Sequence, residues 1–245
     1  MKNKNIVITG VTGGIGSKLA TEIIKLGGRV CGISRNEGKL SELQLGTGNF
    51  KHFLHDLLDV NGIKGIVKNI KEEFGPVDGF VHCAGMEITT PLHLNNYEKY
   101  DEMFKINTFS AFEFVKFLSK KGFHNDNASF VLISSLSAHE GAQGKAVYAA
   151  SKGALEGFLK PAAKELLKKR IRLNIVTPGV VNTPMNERYF ERLTEEQMQN
   201  LKGEYPLGIG ESEYVSDSIV FLLSEKSKWI TGQNIIMDGG HLINS

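Results

Sequence analysis

The chain has 245 residues, 41% of them hydrophobic, and its 29 basic and 27 acidic side chains give a formal net charge of +2. This length suits one large α/β domain that buries roughly 70 to 75% of its extended-chain surface. The near-balance of charge gives no reason to expect a nucleic acid or a membrane surface as partner, and no apolar run approaches the ~18 residues that a membrane span requires.

The first predicted strand, residues 5–9, runs directly into the glycine-rich turn GVTGGIG, which precedes a helical pattern. Glycine permits close approach of a diphosphate, whose charge is favoured by the free N–H groups at the helix start. The spacing G-x-x-x-G-x-G differs from that of the better-known dinucleotide fingerprint, but its place after the first strand favours nucleotide binding over a plain tight turn. The candidate cofactor-binding residues of this turn are Gly10, Thr12, Gly13, Gly14, Ile15 and Gly16.

The second predicted strand, residues 29–33, ends at Ser34 and Arg35. In a dinucleotide enzyme this position meets the adenosine ribose, where an acidic residue selects the 2′-hydroxyl of NAD(H). A hydroxyl and a guanidinium bind a 2′-phosphate instead, so NADP(H) is favoured and NAD(H) is the alternative. A solvated arginine at a strand end is the competing interpretation, since Gly13 offers no second basic group.

Further apolar runs alternate with helical patterns, and we predict strands near 50–55, 78–83, 128–134, 171–177 and 233–237. This alternation predicts a doubly wound, Rossmann-type α/β fold, a three-layer sandwich with a seven-stranded parallel sheet. Ligands then bind beyond the carboxyl ends of the strands. Residues 1–245 are interpreted as one dinucleotide-binding and catalytic domain, with a substrate lid near 184–206.

Cysteine and histidine usage points away from disulfides and metals. Cys31 and Cys83 fall in apolar strand patterns and are predicted to be buried, reduced thiols, which fits a cytoplasmic protein. The seven histidines lack the spacing of metal ligands, and His52 to His55 is better explained as part of a strand. We expect no metal and no signal peptide.

Tyr148 and Lys152 lie four residues apart in a helical pattern, so their side chains share one helix face. Lowering a phenol pKa from about 10 to about 7 requires about 4 kcal/mol, and one unit charge ~4 Å away at an effective dielectric of about 20 supplies that much. Burial of the phenol opposes this shift, so further positive charge or hydrogen bonds are needed. By itself the pair also fits a packed tyrosine beside an exposed lysine.

Taken together, these residues resemble the short-chain dehydrogenase/reductase family, in the family's order and over nearly the whole chain. The turn from Thr9 to Gly16 is similar to its cofactor loop, and Asp56 and Leu57 to its adenine contact. Residues 83–85 stand where the family usually has Asn-Ala-Gly, and Ser135 precedes Tyr148 by thirteen residues as its pattern requires. The resemblance implies the catalytic residues Asn107, Ser135, Tyr148 and Lys152. It also implies cofactor contacts from Cys83, Ala84, Gly85, Tyr148, Lys152, Pro178, Gly179, Val181 and Thr183.

The resemblance implies hydride transfer between NADP(H) and a carbonyl or secondary alcohol. Tyr148 would be the general acid or base, Ser135 would donate a hydrogen bond to the substrate oxygen, and Lys152 would lower the pKa of Tyr148 and bind the ribose. Asn107 would hold a water that links Lys152 to solvent. Cys83 departs from the family pattern by removing an amide that ties the central strands, which puts local geometry in doubt more than chemistry.

The substrate stays open at this stage. The chain end is similar to 3-oxoacyl-carrier-protein reductases and to many sugar, steroid and alkaloid reductases of the family. Alternatives are an NADP(H)-sensing regulator, an NAD-dependent alcohol dehydrogenase, and an isomerase or dehydratase on the same scaffold. By analogy a homodimer or homotetramer is expected. Loop positions suggest the substrate-side candidates Met86, Glu87, His93, His139, Glu140, Gln143, Met185, Tyr189 and Phe190.

Overall fold

The computed structural model describes residues 1–38 and 48–244, which include every candidate residue named above. A seven-stranded parallel sheet with the order β3-β2-β1-β4-β5-β6-β9 forms its centre, and a separate two-stranded pair, β7 and β8, lies outside it. The strands are β1 (Asn5–Thr9), β2 (Arg29–Ser34), β3 (Phe50–Leu54), β4 (Val77–His82), β5 (His124–Ile133), β6 (Arg172–Pro178), β7 (Val181–Asn182), β8 (Gly210–Glu211) and β9 (Asn234–Met237).

Helices cover both faces of the sheet. On one face Leu19 and Ile219 pack in a cluster with strand residues such as Ile8, and on the other Phe114 and Leu155 pack in a cluster with Phe80. A π-helical turn, Lys105–Phe109, separates two of the helices. The helices that lie wholly within the described residues are α1 (Gly14–Lys25), α2 (Ile63–Glu73), α3 (Tyr97–Phe104), α4 (Ser110–Leu118), α5 (Ala146–Leu167), α6 (Pro184–Phe190), α7 (Glu195–Gly203), α8 (Ser212–Leu223) and α9 (His241–Asn244).

The predicted fold class is confirmed, and all seven predicted strands form the sheet in parallel register. The start of β5 differs from the prediction, because the strand begins at His124 and not at residue 128. Its first residues are polar and carry no apolar signal. They pair with β4 across a register shift between Val77 and Gly79, where Asn127 has a φ of 61°. An irregular strand of this kind leaves no period-2 pattern to detect.

Two smaller expectations concern the cysteines and the histidine pair. Both cysteines are free thiols; Cys31 is buried in β2, whereas Cys83 is only partly buried and lies one residue beyond the end of β4. His52 is in β3, and His55 follows that strand directly. Within the described part of the chain, no helix combines the length and apolarity needed to cross a membrane.

The strand order reverses between β1 and β4, because the chain continues from β1 to β2 and β3 on one side and from β4 to β5, β6 and β9 on the other. The loops after these two strands diverge from one point, where a β-carbon added to Gly10 would lie 2.7 Å from the Ala84 backbone. Gly10 also has a φ of +65°, which side-chain-bearing residues rarely adopt. In folds of this type, ligands bind in a crevice at the carboxyl ends of the strands beside such a reversal.

We expect Phe80→Ala to destabilise the protein by about 3 to 5 kcal/mol, the usual cost of removing a buried phenyl ring. Phe80 is fully buried in β4, and its ring lies 5.3 Å from that of Phe114 and 5.9 Å from that of Phe130. The free energy of unfolding in urea measures the effect. Phe221→Ala, which removes a ring that is 40% exposed on α8, is the matched control and should cost much less. Equal losses for the two variants would contradict this assignment of the core.

Candidate active site

The glycine turn after β1 forms a tight backbone cradle. The Gly13 N–H donates to Gly10 O at 2.9 Å, and a β-carbon on Gly16 would lie only 2.3 Å from that same carbonyl oxygen. Helix α1 begins at Gly14 without a side-chain cap, so no side chain at the N-cap takes up its first N–H groups. The Ile15 side chain packs against the hydrophobic core and so points away from these N–H groups. Exposed N–H groups and the positive end of the helix dipole suit a diphosphate.

At the neighbouring strand end, Ser34 and Arg35 lie beside the glycine turn. The Ser34 hydroxyl is 3.2 Å from that of Thr12 and accepts a hydrogen bond from the Asn36 N–H at 3.2 Å. Ser34 is buried, whereas Arg35 is exposed. The structure therefore places a hydrogen-bonded hydroxyl and an exposed guanidinium where the sequence predicts a 2′-phosphate site.

The residues after β3 divide between surface and core. Asp56 is exposed, and its Oδ1 accepts a hydrogen bond from the Leu58 N–H at 3.0 Å. Leu57 buries its side chain in the hydrophobic cluster on the α4 and α5 face of the sheet. Of the two residues predicted to contact the adenine, Asp56 therefore has its side chain at the surface, and Leu57 has its side chain in the core.

The loop after β6 closes the other side of the crevice. Pro178 ends β6, and a β-carbon on Gly179 would lie 2.9 Å from the Tyr205 ring. Val181 and Thr183 are buried. A β-carbon on Gly14 would come within 3.0 Å of Thr183, so the start of α6 packs against the start of α1. The predicted nicotinamide-side loop and the glycine cradle are thus in direct contact.

Tyr148 and Ser135 meet above the end of β5. Tyr148 is 8% exposed, and burial raises the pKa of its hydroxyl to about 12, although a hydrogen bond with Ser135 works in the opposite direction and the Glu87 carboxylate adds to the rise. The Ser135 Oγ accepts a hydrogen bond from the Ser137 N–H at 3.3 Å. Its own hydroxyl proton is therefore free to point towards the tyrosine oxygen.

Lys152 lies one helical turn beyond Tyr148 and is almost completely buried. Its Nζ donates to Ile133 O, the last carbonyl of β5, at 2.8 Å. Burial lowers the pKa of this ammonium to about 8, and the side chains of Cys83 and Glu87 partly oppose the decrease.

The expectation that Lys152 lowers the pKa of Tyr148 is wrong for the chain by itself. Burial, Ser135 and Glu87 set the pKa of the tyrosine, and the net shift is upward. The helical spacing was predicted correctly, but the ammonium points to the β5 carbonyl, and desolvation of the phenol outweighs the favourable interactions.

Asn107 lies in the π-helical turn and is completely buried. Its Oδ1 accepts from the Met86 N–H at 2.8 Å, while Nδ2 donates to Met86 O and to the Ser151 Oγ, each at 2.9 Å. A β-carbon on Gly85 would lie 3.4 Å from the Lys152 Nζ and 3.8 Å from the Asn107 Oδ1. The structure therefore brings Asn107 and Lys152, two members of the predicted catalytic tetrad Asn107, Ser135, Tyr148 and Lys152, to one glycine at the carboxyl edge of the sheet.

Two charged contacts near the tetrad were missed in the sequence. Glu156 follows Lys152 by four residues, and its Oε1 accepts from the Ser134 hydroxyl at 2.7 Å and lies 3.0 Å from the His139 Nε2. Lys145 forms a 2.9 Å ion pair with Glu87. Helical spacing alone identifies the position of Glu156, but its partners come from the loop after β5, which no local pattern reveals.

The substrate-side candidates separate into three groups. Met86, Glu87, His139, Glu140 and Gln143 lie on the loops after β4 and β5, which are joined by the Thr90 N–H and Gly144 O at 2.9 Å. Two of them are held by other side chains, because His139 contacts Glu156 and Glu140 contacts His241 at 3.1 Å. The other candidates are exposed or half-buried on α6 or in a short turn before α3: Met185, Tyr189, Phe190 and His93.

Among the described residues, no group of three or more histidine, cysteine, aspartate or glutamate side chains is arranged to hold a metal ion. The predicted catalytic residues carry hydroxyl, amide and ammonium groups. Groups of these kinds can stabilise an oxyanion and move a proton.

Comparison with known proteins gives concordant results. A family model described as enoyl-(acyl carrier protein) reductase matches residues 10–241. The 3-oxoacyl-(acyl-carrier-protein) reductase of Thermotoga maritima is 31% identical over 99% of both chains. Carbonyl reductase family member 4 of Xenopus laevis is 32% identical over 97% of this chain and 98% of its own length.

Solved structures give the same result. A short-chain type dehydrogenase/reductase from Mycobacterium ulcerans superposes with a TM-score of 0.91 at 27% identity, covering 99% of this chain and 91% of that one. The protein ElxO, solved with NADP bound, superposes with a TM-score of 0.87 at 27% identity, covering 99% of this chain and 100% of that one.

The lowered pKa of Lys152 predicts a pH-dependent stability. Between about pH 8 and pH 10.5 the unfolded chain binds a proton at this lysine that the folded chain does not, so the folded state gains stability as pH rises through that window. Below pH 8 the full cost of burying the ammonium is present, about 3 kcal/mol. We expect Lys152→Met to be more stable than the unmodified protein at pH 7, with an advantage that shrinks towards pH 10.5.

Urea unfolding at several pH values measures this difference. Lys160→Met, on the exposed side of the same helix, controls for the change of net charge. A stability difference between Lys152→Met and the unmodified protein that stays constant from pH 7 to pH 10.5 would show that the ammonium is not desolvated as described.

Proposed function

Because the chain belongs to the short-chain dehydrogenase/reductase family of NAD(P)-dependent oxidoreductases, we propose that it reduces a carbonyl with NADPH, or oxidises the corresponding secondary alcohol, through Tyr148. The observation that carries this proposal is the convergence of four side chains at one rim. Ser135 bonds to Tyr148, and Lys152 and Asn107 flank Gly85.

The cofactor assignment rests on residues that fit NADP(H). The glycine cradle suits the diphosphate, and Ser34 with Arg35 suits a 2′-phosphate, which a carboxylate at this position would repel. Asp56 would face the adenine, and the loops at residues 84–85 and 178–183 would flank the nicotinamide half. A nicotinamide held there supplies a hydride for reduction or accepts one for oxidation. The NADP-bound ElxO structure supports NADP(H) over NAD(H).

Tyr148 is proposed to be the proton donor. With a pKa of about 12 its hydroxyl is protonated at neutral pH, which is the form that a reduction requires. Ser135 would donate a hydrogen bond to the oxyanion that grows on the substrate oxygen. Lys152 carries its charge at pH 7, because its pKa is about 8, and would bind the nicotinamide ribose.

Asn107 is proposed to support replacement of that proton. Both hydrogens of its amide are engaged, one with Met86 O and one with the Ser151 Oγ. Any water that it holds for a proton path from solvent to Lys152 therefore bonds to an oxygen of this residue. The same two contacts fix the start of the substrate-side loop against helix α5.

The segment between β7 and β8 is proposed to be a substrate lid. These two strands pair in parallel, Val181 with Gly210 and Asn182 with Glu211, so the two ends of the segment are tied together while α6 and α7 lie between them. Helix α6 exposes Met185 and Tyr189, two large side chains suited to covering an apolar substrate. A hinged segment over the rim would exclude water during reaction.

The substrate class is proposed to be a carbonyl compound, with 3-oxoacyl thioesters the first to test because the Thermotoga maritima relative is named for them. The complete tetrad argues against a sensing regulator that binds without turnover. We also propose a cytoplasmic homo-oligomer. Free thiols support the reducing compartment, and exposed apolar side chains, among them Phe109, Trp229 and Ile236, support self-association.

The reaction is tested by following NADPH oxidation with ketones, sugars, 3-oxoacyl thioesters and 2-enoyl thioesters. We expect turnover with carbonyl substrates and none with the enoyl thioesters, because the tyrosine and serine are placed to protonate an oxygen. Turnover of the enoyl thioesters alone would contradict carbonyl reduction.

We expect Tyr148→Phe to lower kcat by about 10² to 10⁴-fold, the range for loss of a general acid, while the Kd for NADPH changes by less than about threefold. The substitution removes the acidic proton and keeps the packing of the ring. Tyr214→Phe, at an exposed position on α8, is the matched control. Near-normal turnover in Tyr148→Phe would exclude Tyr148 as the acid.

We expect the unmodified protein to bind NADPH more tightly than NADH. Arg35→Ala should weaken NADPH binding by about 10 to 100-fold, the effect of losing charge-assisted hydrogen bonds worth about 1.5 to 3 kcal/mol, with little change for NADH. Titration of cofactor fluorescence measures both constants. Lys121→Ala, an exposed cation near the amino end of β5, is the control for net charge. Equal affinities for the two cofactors in the unmodified protein would refute the preference.

A further inference from the structure

His82, the last residue of β4, has no solvent exposure and touches elements on both sides of the proposed active site. Its Nδ1 lies 2.9 Å from the Thr9 Oγ1, at the end of β1. Its Nε2 lies 3.2 Å from Ile106 O, in the π-helical turn. The imidazole therefore spans the gap between the strand that leads to the glycine cradle and the turn that carries Asn107.

The chemistry of the partners fixes the direction of each hydrogen bond. Ile106 O is a carbonyl and can only accept, so the His82 Nε2 carries the ring hydrogen. In a neutral ring Nδ1 then accepts from the Thr9 hydroxyl, and the Thr9 oxygen remains free to accept from the Ala84 N–H, 3.4 Å away. The result is a directed chain from Ala84 through Thr9 and His82 to Ile106.

The ring is held in this neutral form. Burial, with the nearby positive charge of Lys152 as a second cause, lowers the pKa of His82 to about 3. A protonated ring would turn Nδ1 into a donor and break the bond to the Thr9 proton. Because the ring stays neutral at physiological pH, the chain of hydrogen bonds keeps one direction.

The π-helical turn makes the Ile106 carbonyl available to His82, because the backbone N–H of Ser110 does not bond to it. The Ser110 N–H bonds to Lys105 O, one residue earlier than its α-helical partner, Ile106. Ile106 O instead accepts from the Ser110 hydroxyl at 2.7 Å and from the His82 ring. The next residue is Asn107, whose amide clamps the Met86 backbone. Ile106 O belongs to the peptide unit that joins Ile106 to Asn107. The hydrogen bond from His82 therefore also holds the backbone of Asn107 in place.

We propose that His82 is a positioning residue with two separable arms: its Nδ1 arm fixes Thr9 and Ala84 at the cofactor loop, and its Nε2 arm fixes the π-helical turn that presents Asn107. The assignment of the second arm to catalysis rests on the proposed function. Cys83 is not part of this bridge, because it packs with Val81 on the other face of the sheet, whereas His82 shares the face of Phe80.

Two substitutions separate the arms. In His82→Asn the side-chain oxygen can occupy the place of Nδ1 and accept from Thr9, but the side chain is too short to reach Ile106. In His82→Gln the terminal amide nitrogen can occupy the place of Nε2 and donate to Ile106, while Thr9 loses its acceptor. Each variant removes one buried hydrogen bond, so a merely structural role predicts similar decreases in Tm and parallel changes in every functional constant.

We expect the functional constants to divide between the variants. His82→Asn should keep the Kd for NADPH within about twofold of the unmodified protein and lower kcat by about tenfold or more. His82→Gln should raise the Kd for NADPH by about threefold or more and retain most of kcat. Hydrogen exchange at the Met86 amide, which donates to Asn107, should accelerate in His82→Asn and not in His82→Gln.

Parallel changes in both variants, or no change in either, would overturn the proposal. Thr9→Val removes the same arm as His82→Gln without altering the imidazole, and should reproduce the weaker NADPH binding even where a His82 variant fails to fold. A Kd for NADPH in Thr9→Val equal to that of the unmodified protein would contradict the role proposed for the Nδ1 arm. Absence of turnover in the unmodified protein would count against the proposed reaction, whereas cofactor titration and amide exchange still test both arms.

Discussion

A lysine ammonium buried at the rim of the sheet is the constraint on which the rest of the site depends. Lys152 donates to the last carbonyl of β5 and has almost no contact with solvent. A charge in that position is costly, and its cost appears as a pKa lowered to about 8. Two neighbouring groups share this desolvated surrounding. Burial, with the Lys152 charge as a second cause, keeps His82 neutral, and Tyr148 is buried one turn away on the same helix.

The parallel sheet brings these groups together because its strands end at a common edge. The loops after β1, β4 and β5 supply the glycine cradle, Gly85 and Ser135, while α5 supplies Tyr148 and Lys152 from above the sheet. The π-helical turn completes the arrangement. Its altered backbone hydrogen bonding leaves Ile106 O to accept from His82. It also places the Asn107 amide within hydrogen-bond distance of both Met86 and Ser151. One irregular turn thus links the cofactor side, the substrate loop and the catalytic helix.

Much of this arrangement was predictable from local pattern. Short apolar runs between helical patterns gave the seven strands, with boundaries that agree within one residue except at the polar start of β5. The glycine turn, the Ser34 and Arg35 pair and the spacing of Tyr148 and Lys152 were each recognisable without coordinates. They depend on backbone freedom, strand ends and helical periodicity, which adjacent residues determine.

The electrostatic state of the site was not predictable in this way. Sequence spacing suggested a tyrosine made acidic by the lysine, but the surroundings of Tyr148 raise its pKa, and the lysine bonds to a β5 carbonyl. The His82 bridge, the Glu156 contacts and the Glu87 ion pair join residues from separate strands and loops. The sequence by itself therefore determined the fold and the identity of the groups at the rim. Only the tertiary structure decided their charge and partners, because desolvation and hydrogen bonding depend on which remote segments pack around each group.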